Sequence, residues 1–543
     1  MESFTKLKRR GNDLFSSLPH NLPSMPHLPH LQRPGGGSSS VGHPTMKGTW
    51  QHISIPPLPR SSHSIDIVAG NAYIFGGEVE PRKPVDNDMH VIVLPSSSAS
   101  ADYFAIKARP SQTPFADRTP APITEEDETE AQLKDPLSDI DLTSAEAAEP
   151  APSTSDKGKG KSEVPCARVG HATAVIGSRI FLFGGRSAES AAEPLDEGGR
   201  VWVFETKTST WSHLDPHRSS PVPPARSFFA AVATDKPRDF AIKPLRRAAS
   251  WKEWAEGDSA SVGIPQRPIP GSVAATAADE EDAGFGTFLV HGGCTAGGAR
   301  TGDLWAFDVR SATWKELPAA PGPPRGGAAL ALAKGRLYRF GGYDGQAEIG
   351  GRLDVLELAL DEFDDRVSKG EIGVSARGGW QTLLAPPPPP PPGDDAAKLI
   401  PAADVWPGGR SVASLELVLG GGGREYLVLM LGEQSPSPDG HAAAGHFWSD
   451  VWAFQIPPVG MTAASVTDAF LHAVGRKTGE GRWSSVAPTP YDEDSELDIQ
   501  GPGPRGWLAS APLGDLEENA VLVFGGLSES NTRLGDGWIF RLE

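Results

Sequence analysis

The stretch Arg168-Val169-Gly170-His171-Ala172-Thr173-Ala174-Val175-Ile176-Gly177-Ser178-Arg179-Ile180-Phe181-Leu182-Phe183-Gly184-Gly185 decides the fold of this chain. It reads as an arginine, a strand of small and apolar residues, a Gly-Ser turn, a second apolar strand, and a glycine pair that stops it. Paired glycines permit positive φ and close backbone approach, which suits a tight exit from a crowded centre. Outward from here the pattern recurs along the whole chain. The arginines are Arg60, Arg168, Arg226, Arg325, Arg410 and Arg505. The matching ends are Phe75-Gly76-Gly77, Phe183-Gly184-Gly185, His291-Gly292-Gly293, Phe340-Gly341-Gly342, Leu431-Gly432-Glu433 and Phe524-Gly525-Gly526. In three units the arginine precedes the first glycine by 16 residues; the gap is 66 in unit three, 22 in unit five and 20 in unit six. Such a recurrence marks units stacked into one body rather than separate domains.

Each unit extends to four strands. The third alternates large residues, as in Val201-Trp202-Val203-Phe204, Leu304-Trp305-Ala306-Phe307, Val451-Trp452-Ala453-Phe454 and Trp538-Ile539-Phe540. The fourth begins at Trp211, Trp314, Trp380 or Trp483, and unit one offers only Tyr103 or Phe104 there. This order of arginine, small-residue strand, glycine pair, apolar strand and tryptophan resembles the kelch repeat. The resemblance covers about Trp50 to Glu543 and implies an all-β, six-bladed kelch-type β-propeller, one four-stranded blade per unit. Three units depart from it: His291 replaces the aromatic residue, Glu433 stands at the second glycine of unit five, and unit one lacks its tryptophan. Unit six stops at Glu543 before a fourth strand, whereas Gly48-Thr49-Trp50-Gln51-His52-Ile53 belongs to no earlier unit. The N-terminal strand around Trp50 is therefore expected to complete the C-terminal blade, close the ring and cover an edge that would otherwise pair with other chains.

Composition agrees with many short strands and turns: glycine (62) and proline (52) are abundant among the 543 residues. The expected organisation is a disordered Pro/Gly/Ser-rich tail at 1–46 and a propeller at 47–543. Two cysteines, Cys166 and Cys294, cannot build a disulfide framework, which points to a reducing compartment and a cytoplasmic location. Lys6-Leu7-Lys8-Arg9-Arg10 leaves a nuclear signal open, and no apolar stretch follows it to make a secretory leader. No run approaches the roughly 18 apolar residues that span a bilayer, so no membrane role is expected. A net charge of −19 disfavours nonspecific nucleic-acid binding.

Three insertions interrupt the repeat. An acidic one at 110–164 joins units one and two; between Glu125 and Glu149 it has ten acidic residues against one basic, Lys134, and reads as disordered. The insertion at 235–281 separates the first two strands of unit three. A Pro-rich one at 385–405 contains Pro386 to Pro392, a polyproline II rod suited to a profilin, SH3 or WW partner or to a spacer role. The acidic and proline-rich insertions fall on the face where the arginines enter, and the acidic one is a candidate autoinhibitory occupant of that mouth. A short helix is expected around Ala463 to Val474, and Arg247-Ala248-Ala249-Ser250 has the form of a basophilic kinase site.

The arginines Arg60, Arg168, Arg226, Arg325, Arg410 and Arg505 are the candidate partner- or anion-binding residues, because guanidinium groups ringing a channel mouth attract carboxylates. The resemblance implies the same, since some kelch adaptors contact acidic peptides from this position. A structural role, bonding carbonyls between units, is the other reading. No catalytic residues, metal ligands or cofactor are assigned: there is no P-loop, Gly-x-Ser-x-Gly elbow or Cys-x-x-Cys pair. His63 and His171 follow their arginines by three residues and read as core. The iron signature of kelch-type specifier proteins, Glu-x3-Asp-x3-His, is approached only by His446-x3-Asp450 in reversed order. No adaptor or coiled-coil segment is expected beside the repeat. The expectation is a protein-interaction scaffold with a protein partner, acidic peptides among the candidates; the alternative is a small-molecule enzyme or lyase of the kelch-specifier type at the channel mouth.

Overall fold

The computed structural model describes residues 46–94, 101–112, 163–189, 192–235, 286–360, 373–386, 406–421, 423–438, 443–457, 479–491 and 501–543. The N-terminal tail, most of the three insertions, the Arg247–Ser250 motif and the Ala463–Val474 helix expectation lie outside these residues.

Among the described residues the strands form six antiparallel groups of four. Blade one holds Ser64–Val68, Asn71–Phe75, Met89–Val93 and Asp102–Ile106. Blade two holds Ala172–Ile176, Arg179–Phe183, Val201–Glu205 and Thr210–Leu214. Blade three holds Ala230–Thr234, Thr287–His291, Leu304–Asp308 and Thr313–Leu317. Blade four holds Ala329–Ala333, Arg336–Phe340, Arg352–Leu360 and Gln381–Leu384, with Val374–Ala376 also on its third strand. Blade five holds Ser414–Gly420, Arg424–Met430, Val451–Gln455 and Trp483–Pro490. Blade six holds Ala509–Pro512, Ala520–Ser528 and Arg533–Leu542 from the C-terminus, and Met46–Ile53 from the N-terminus. The innermost strands touch one another in sequence, and that of blade six returns to that of blade one.

The N-terminal strand does two jobs. Antiparallel pairing puts Trp50 opposite Phe540, the position that Trp211 takes opposite Phe204 in blade two. Its first half also runs parallel to blade five, with Met46 opposite Val486 and Trp50 opposite Pro490. Blades five and six thereby share one nine-stranded sheet. In blade one the equivalent of the tryptophan is Tyr103, opposite Ile92, whereas Phe104 points outward and is 48% exposed.

Alternation explains the packing. All five residues of Val201–Glu205 are buried, because a propeller blade is covered on both faces. Each fourth-strand tryptophan crosses to the preceding blade: Trp211 meets Phe75, Trp314 meets Phe183 and Trp483 meets Phe340, at centroid distances of 5.1, 5.1 and 5.5 Å. Aromatic contacts at such spacing add to the area they remove from water.

The glycine pairs stitch the blades together. The N–H of the second glycine donates to the carbonyl of the next blade's repeat arginine at every junction: Gly77 to Arg168, Gly185 to Arg226, Gly293 to Arg325, Gly342 to Arg410, Gly432 to Arg505 and Gly526 to Arg60. A Cβ on Gly76 or Gly184 would lie 2.5 or 2.6 Å from that same carbonyl, so glycine is favoured at the first position of these blades. Blade five corrects the sequence alignment. Arg410 donates to the carbonyl of Leu431, as Arg60 does to that of Gly76, so Leu431 is the counterpart of the first glycine. It keeps the left-handed φ of 60°, while Gly432 at 100° matches the second glycines. The replaced residue is thus the first glycine, and Glu433 stands just after the pair.

Candidate functional site

The six repeat arginines are buried, between 0% and 3% exposed. Each donates from Nη1 to the carbonyl at the first-glycine position of its own blade. Carboxylates complete most of the sites: Arg168 pairs with Glu197, Arg226 with Asp303, Arg410 with Asp450 and Arg505 with Asp536, at 2.7–2.9 Å. Arg60 has a looser pair with Asp86 at 3.9 Å. The third-strand residue that follows binds the same acid, as Trp305 Nε1 does to Asp303 at 2.8 Å. Burial penalises the charge of Glu197, yet Arg168 and its hydrogen bonds outweigh that and hold the carboxyl below the usual range. Five of these guanidiniums are therefore spent on the frame, and the six do not stand as an open ring for an acidic partner; Arg325 alone has no carboxylate partner among the described residues. The structural reading of the arginines is the one their geometry supports. Asp450, the nearest approach to a specifier-type iron ligand, is consumed by Arg410 and Trp452.

Two residues beyond each arginine the chain turns left-handed. Ser62, Gly170, Phe228, Gly327, Val412 and Trp507 all have φ between 46° and 62°. Their backbones form a closed belt: Ser62 N–H donates to Trp507, Trp507 to Val412, Val412 to Gly327, Gly327 to Phe228, Phe228 to Gly170 and Gly170 to Ser62, at 2.7–3.2 Å. Positive φ is costly for side chains such as Val412, and such conformations persist only where neighbours over-determine them. Phe228 of blade three and Trp507 of blade six meet edge to face at 5.4 Å across the ring, plugging it at the level of the belt.

Above this plug opens a mouth of about 270 Å³, lined by Glu78, Arg300, Tyr343, Glu433 and Arg533 among others. The residue just after each glycine pair pairs its backbone with the residue just after the arginine, and its side chain varies from blade to blade: Glu78, Arg186, Cys294, Tyr343, Glu433 and Leu527. Sequence reading passed over these positions, although they were identifiable as the residue following each Gly-Gly. Arg300 stacks on Tyr343 at 5.0 Å, and its buried Nε has no hydrogen-bond partner among the described residues. Ser411 donates to Glu348 at 3.1 Å. Burial and the nearby Glu433 push the Glu348 carboxyl up to about 8, and burial pushes Glu433 up to about 7.

Beyond the plug the inner strands carry two carboxyls at equivalent positions, Asp66 in blade one and Glu416 in blade five. Each accepts from a hydroxyl of the next blade, Thr173 at 2.6 Å and Ser510 at 2.7 Å. Burial raises Asp66 to about 7 and Glu416 to about 8. His63 and His171 pack edge to face on Phe524 and Phe75 of the preceding blades, and burial holds both imidazoles neutral.

The kelch motif model matches residues 167–216, which begin one residue before Arg168. Residues 167–216 thus carry a kelch motif, which falls on blade two of the propeller. N-(sulfonatooxy)prop-2-enimidothioate sulfolyase of Thlaspi arvense is 39% identical over 51 residues, 9% of this chain and 15% of that enzyme. The solved structure of YjhT is 12% identical, with a TM-score of 0.42 over 89% of this chain and 95% of that one.

Proposed function

We propose that this propeller is a protein-interaction module that receives a partner segment in the mouth above the Phe228–Trp507 plug. The observation that carries this reading is the contrast between frame and lining. The arginine, glycine-pair and belt positions are used alike in every blade, whereas the position after the glycines carries a different chemistry almost every time. A rigid frame with varied side chains suits recognition, and Tyr343, Trp507 and Arg300 are residue types that dominate binding energies at interfaces. An acidic residue on the partner would find Arg300 rather than the repeat arginines. A cytoplasmic location and a proline-binding partner at Pro386–Pro392 remain parts of the proposal carried by the sequence.

The test is affinity purification with the full chain and an Arg300→Ala/Tyr343→Ala variant. Loss of partners at unchanged thermal stability is expected; an unaltered partner set would overturn the reading. A second reading, a small-molecule enzyme at the same mouth, is favoured by the neighbouring Glu348 and Glu433 carboxyls, whose raised pKa values suit proton transfer. It predicts that Glu348→Gln abolishes turnover of a small substrate while partner capture persists.

A further inference from the structure

Blade four breaks the pattern that neutralises the repeat arginines. In blade three the relevant residues are Asp303, just before the third strand, and Trp305 on it, with Val290 opposite Trp305. The register of blade four places Arg352, Asp354 and Arg339 at those three positions. The counter-ion of the repeat arginine is thus replaced by a second arginine, and the apolar residue by a third.

The hydrogen bonds show where the acceptors run out. Arg339 is fully served: Nε and Nη2 donate to Asp354, Nη2 also to the Pro321 carbonyl, and Nη1 to Nε2 of His291 at 3.3 Å. His291, which replaces the aromatic residue of unit three, keeps Nδ1 for the Asp303 carbonyl at 2.8 Å. Arg352 donates to Asp354 and Thr382 through Nε and Nη2. Arg325 donates to the carbonyls of Pro323 and Gly341. Its Nη2 is buried and has no acceptor among the described residues. Arg339 and Arg352 therefore share one carboxylate, Asp354, which is 1% exposed, and Arg325 has no ion pair among the described residues. Asp344 acts on Arg325 only from beyond ion-pair distance. Burial and the Arg339 charge lower Arg325 to about 10, the reverse of what a counter-ion would do.

The free donors converge. Arg325 Nη2 and Arg352 Nη1 each lie 2.8 Å from the point that a Cβ on Gly322 would occupy, so they stand within twice that distance of each other. Gly322 has a φ of 84°, and its lack of a side chain lets both guanidinium ends approach the backbone there. Arg352 is 22% exposed, which gives the pair a solvent side.

From this geometry we infer that Arg325 Nη2 and Arg352 Nη1, brought together beside Gly322, form an oxyanion site at the edge of blade four. One oxygen of a phosphate or carboxylate bridges the two nitrogens, and the surplus positive charge supplies the attraction. The site rests on residues distinct from those of the mouth.

The experiment titrates the full chain with inorganic phosphate and, separately, with acetate at low ionic strength, reading heat of binding and the shift in melting temperature; chloride serves as control. Saturable binding is expected, weakened at least tenfold by Arg352→Gln and by Gly322→Ala, whose methyl would push the two guanidinium ends apart, and unchanged by Arg533→Gln. Tighter binding of phosphate identifies a phosphoryl ligand, and tighter binding of acetate a carboxylate one. Circular dichroism confirms that each variant is folded. Absence of saturable binding in the wild type, or equal affinity in folded Arg352→Gln and Gly322→Ala, overturns the proposal.

Discussion

The amide of Ser62 donates to the carbonyl of Trp507 at 2.9 Å, joining the first blade to the last. Both residues are left-handed, with φ of 56° and 57°. This bond completes a belt to which every blade contributes one donor and one acceptor, so no inner backbone group at this level is left open. Closure is thus built twice, by the belt at the axis and by the Met46–Ile53 strand at the rim.

The belt depends on room for the plug. A Cβ on Gly170 would lie 2.6 Å from the Phe228 ring. With a φ of 62° at that residue as well, Gly170→Ala is expected to destabilise the protein by about 1–3 kcal/mol. Urea unfolding monitored by tryptophan fluorescence would measure it.

The ion pairs should not be equal. Asp303 pairs with the fully buried Arg226 at 2.7 Å and is itself 14% exposed. Asp303→Ala leaves that guanidinium without its counter-ion, and a loss of about 3–5 kcal/mol is expected. Asp86, 29% exposed and 3.9 Å from Arg60, is better screened, and Asp86→Ala should cost about 1 kcal/mol or less. Comparable losses in denaturant melts would contradict this account.

Asp66 and Glu416 predict a pH dependence. Burial raises them from 3.8 and 4.5 to about 7 and about 8. The folded chain holds these protons over a range where the unfolded chain has released them. Stability from these groups therefore falls as pH rises from about 4 to about 8 and then levels off. Asp66→Asn should flatten its part of that slope and add about 2–4 kcal/mol near pH 8, while changing little at pH 4. Melting temperatures across this range provide the check.

His291 and Arg339 should be energetically coupled. His291→Phe restores the repeat residue but leaves Arg339 Nη1 without its acceptor, at a cost of about 1–3 kcal/mol. In an Arg339→Val background that penalty should vanish. A double-mutant cycle giving an interaction energy below about 0.5 kcal/mol would count against the pairing.

Trp50 is 4% exposed and touches both Trp538 and Phe540. Trp50→Ala should cost about 3–5 kcal/mol, read from chemical denaturation. Its distance in sequence from blade six makes this a direct probe of closure.

Much of the fold was legible because repetition exposes it. The third-strand tryptophans, the glycine ends and the unclaimed segment at Trp50 recur at readable positions. The site was less legible for the same reason. Repetition draws the eye to the arginines, which are shared because they hold the frame together, and away from Glu78, Tyr343 and Glu433, which differ. Blade five shows the limit of spacing alone: Leu431 adopts the left-handed geometry of a glycine, and only the Arg410 bond reveals its place.

What the amino-acid sequence determined by itself was periodicity: strand alternation, turn chemistry and one arginine per unit are local properties carried along the chain. Which arginines have a counter-ion was decided only in three dimensions. Arg325 and Asp354 are separated by two strands and their loops, and whether charges neutralise one another depends on distance through space. The same holds for the plug, where Phe228 and Trp507 meet only because the ring closes. Packing across the axis turns residues from distant units into one surface.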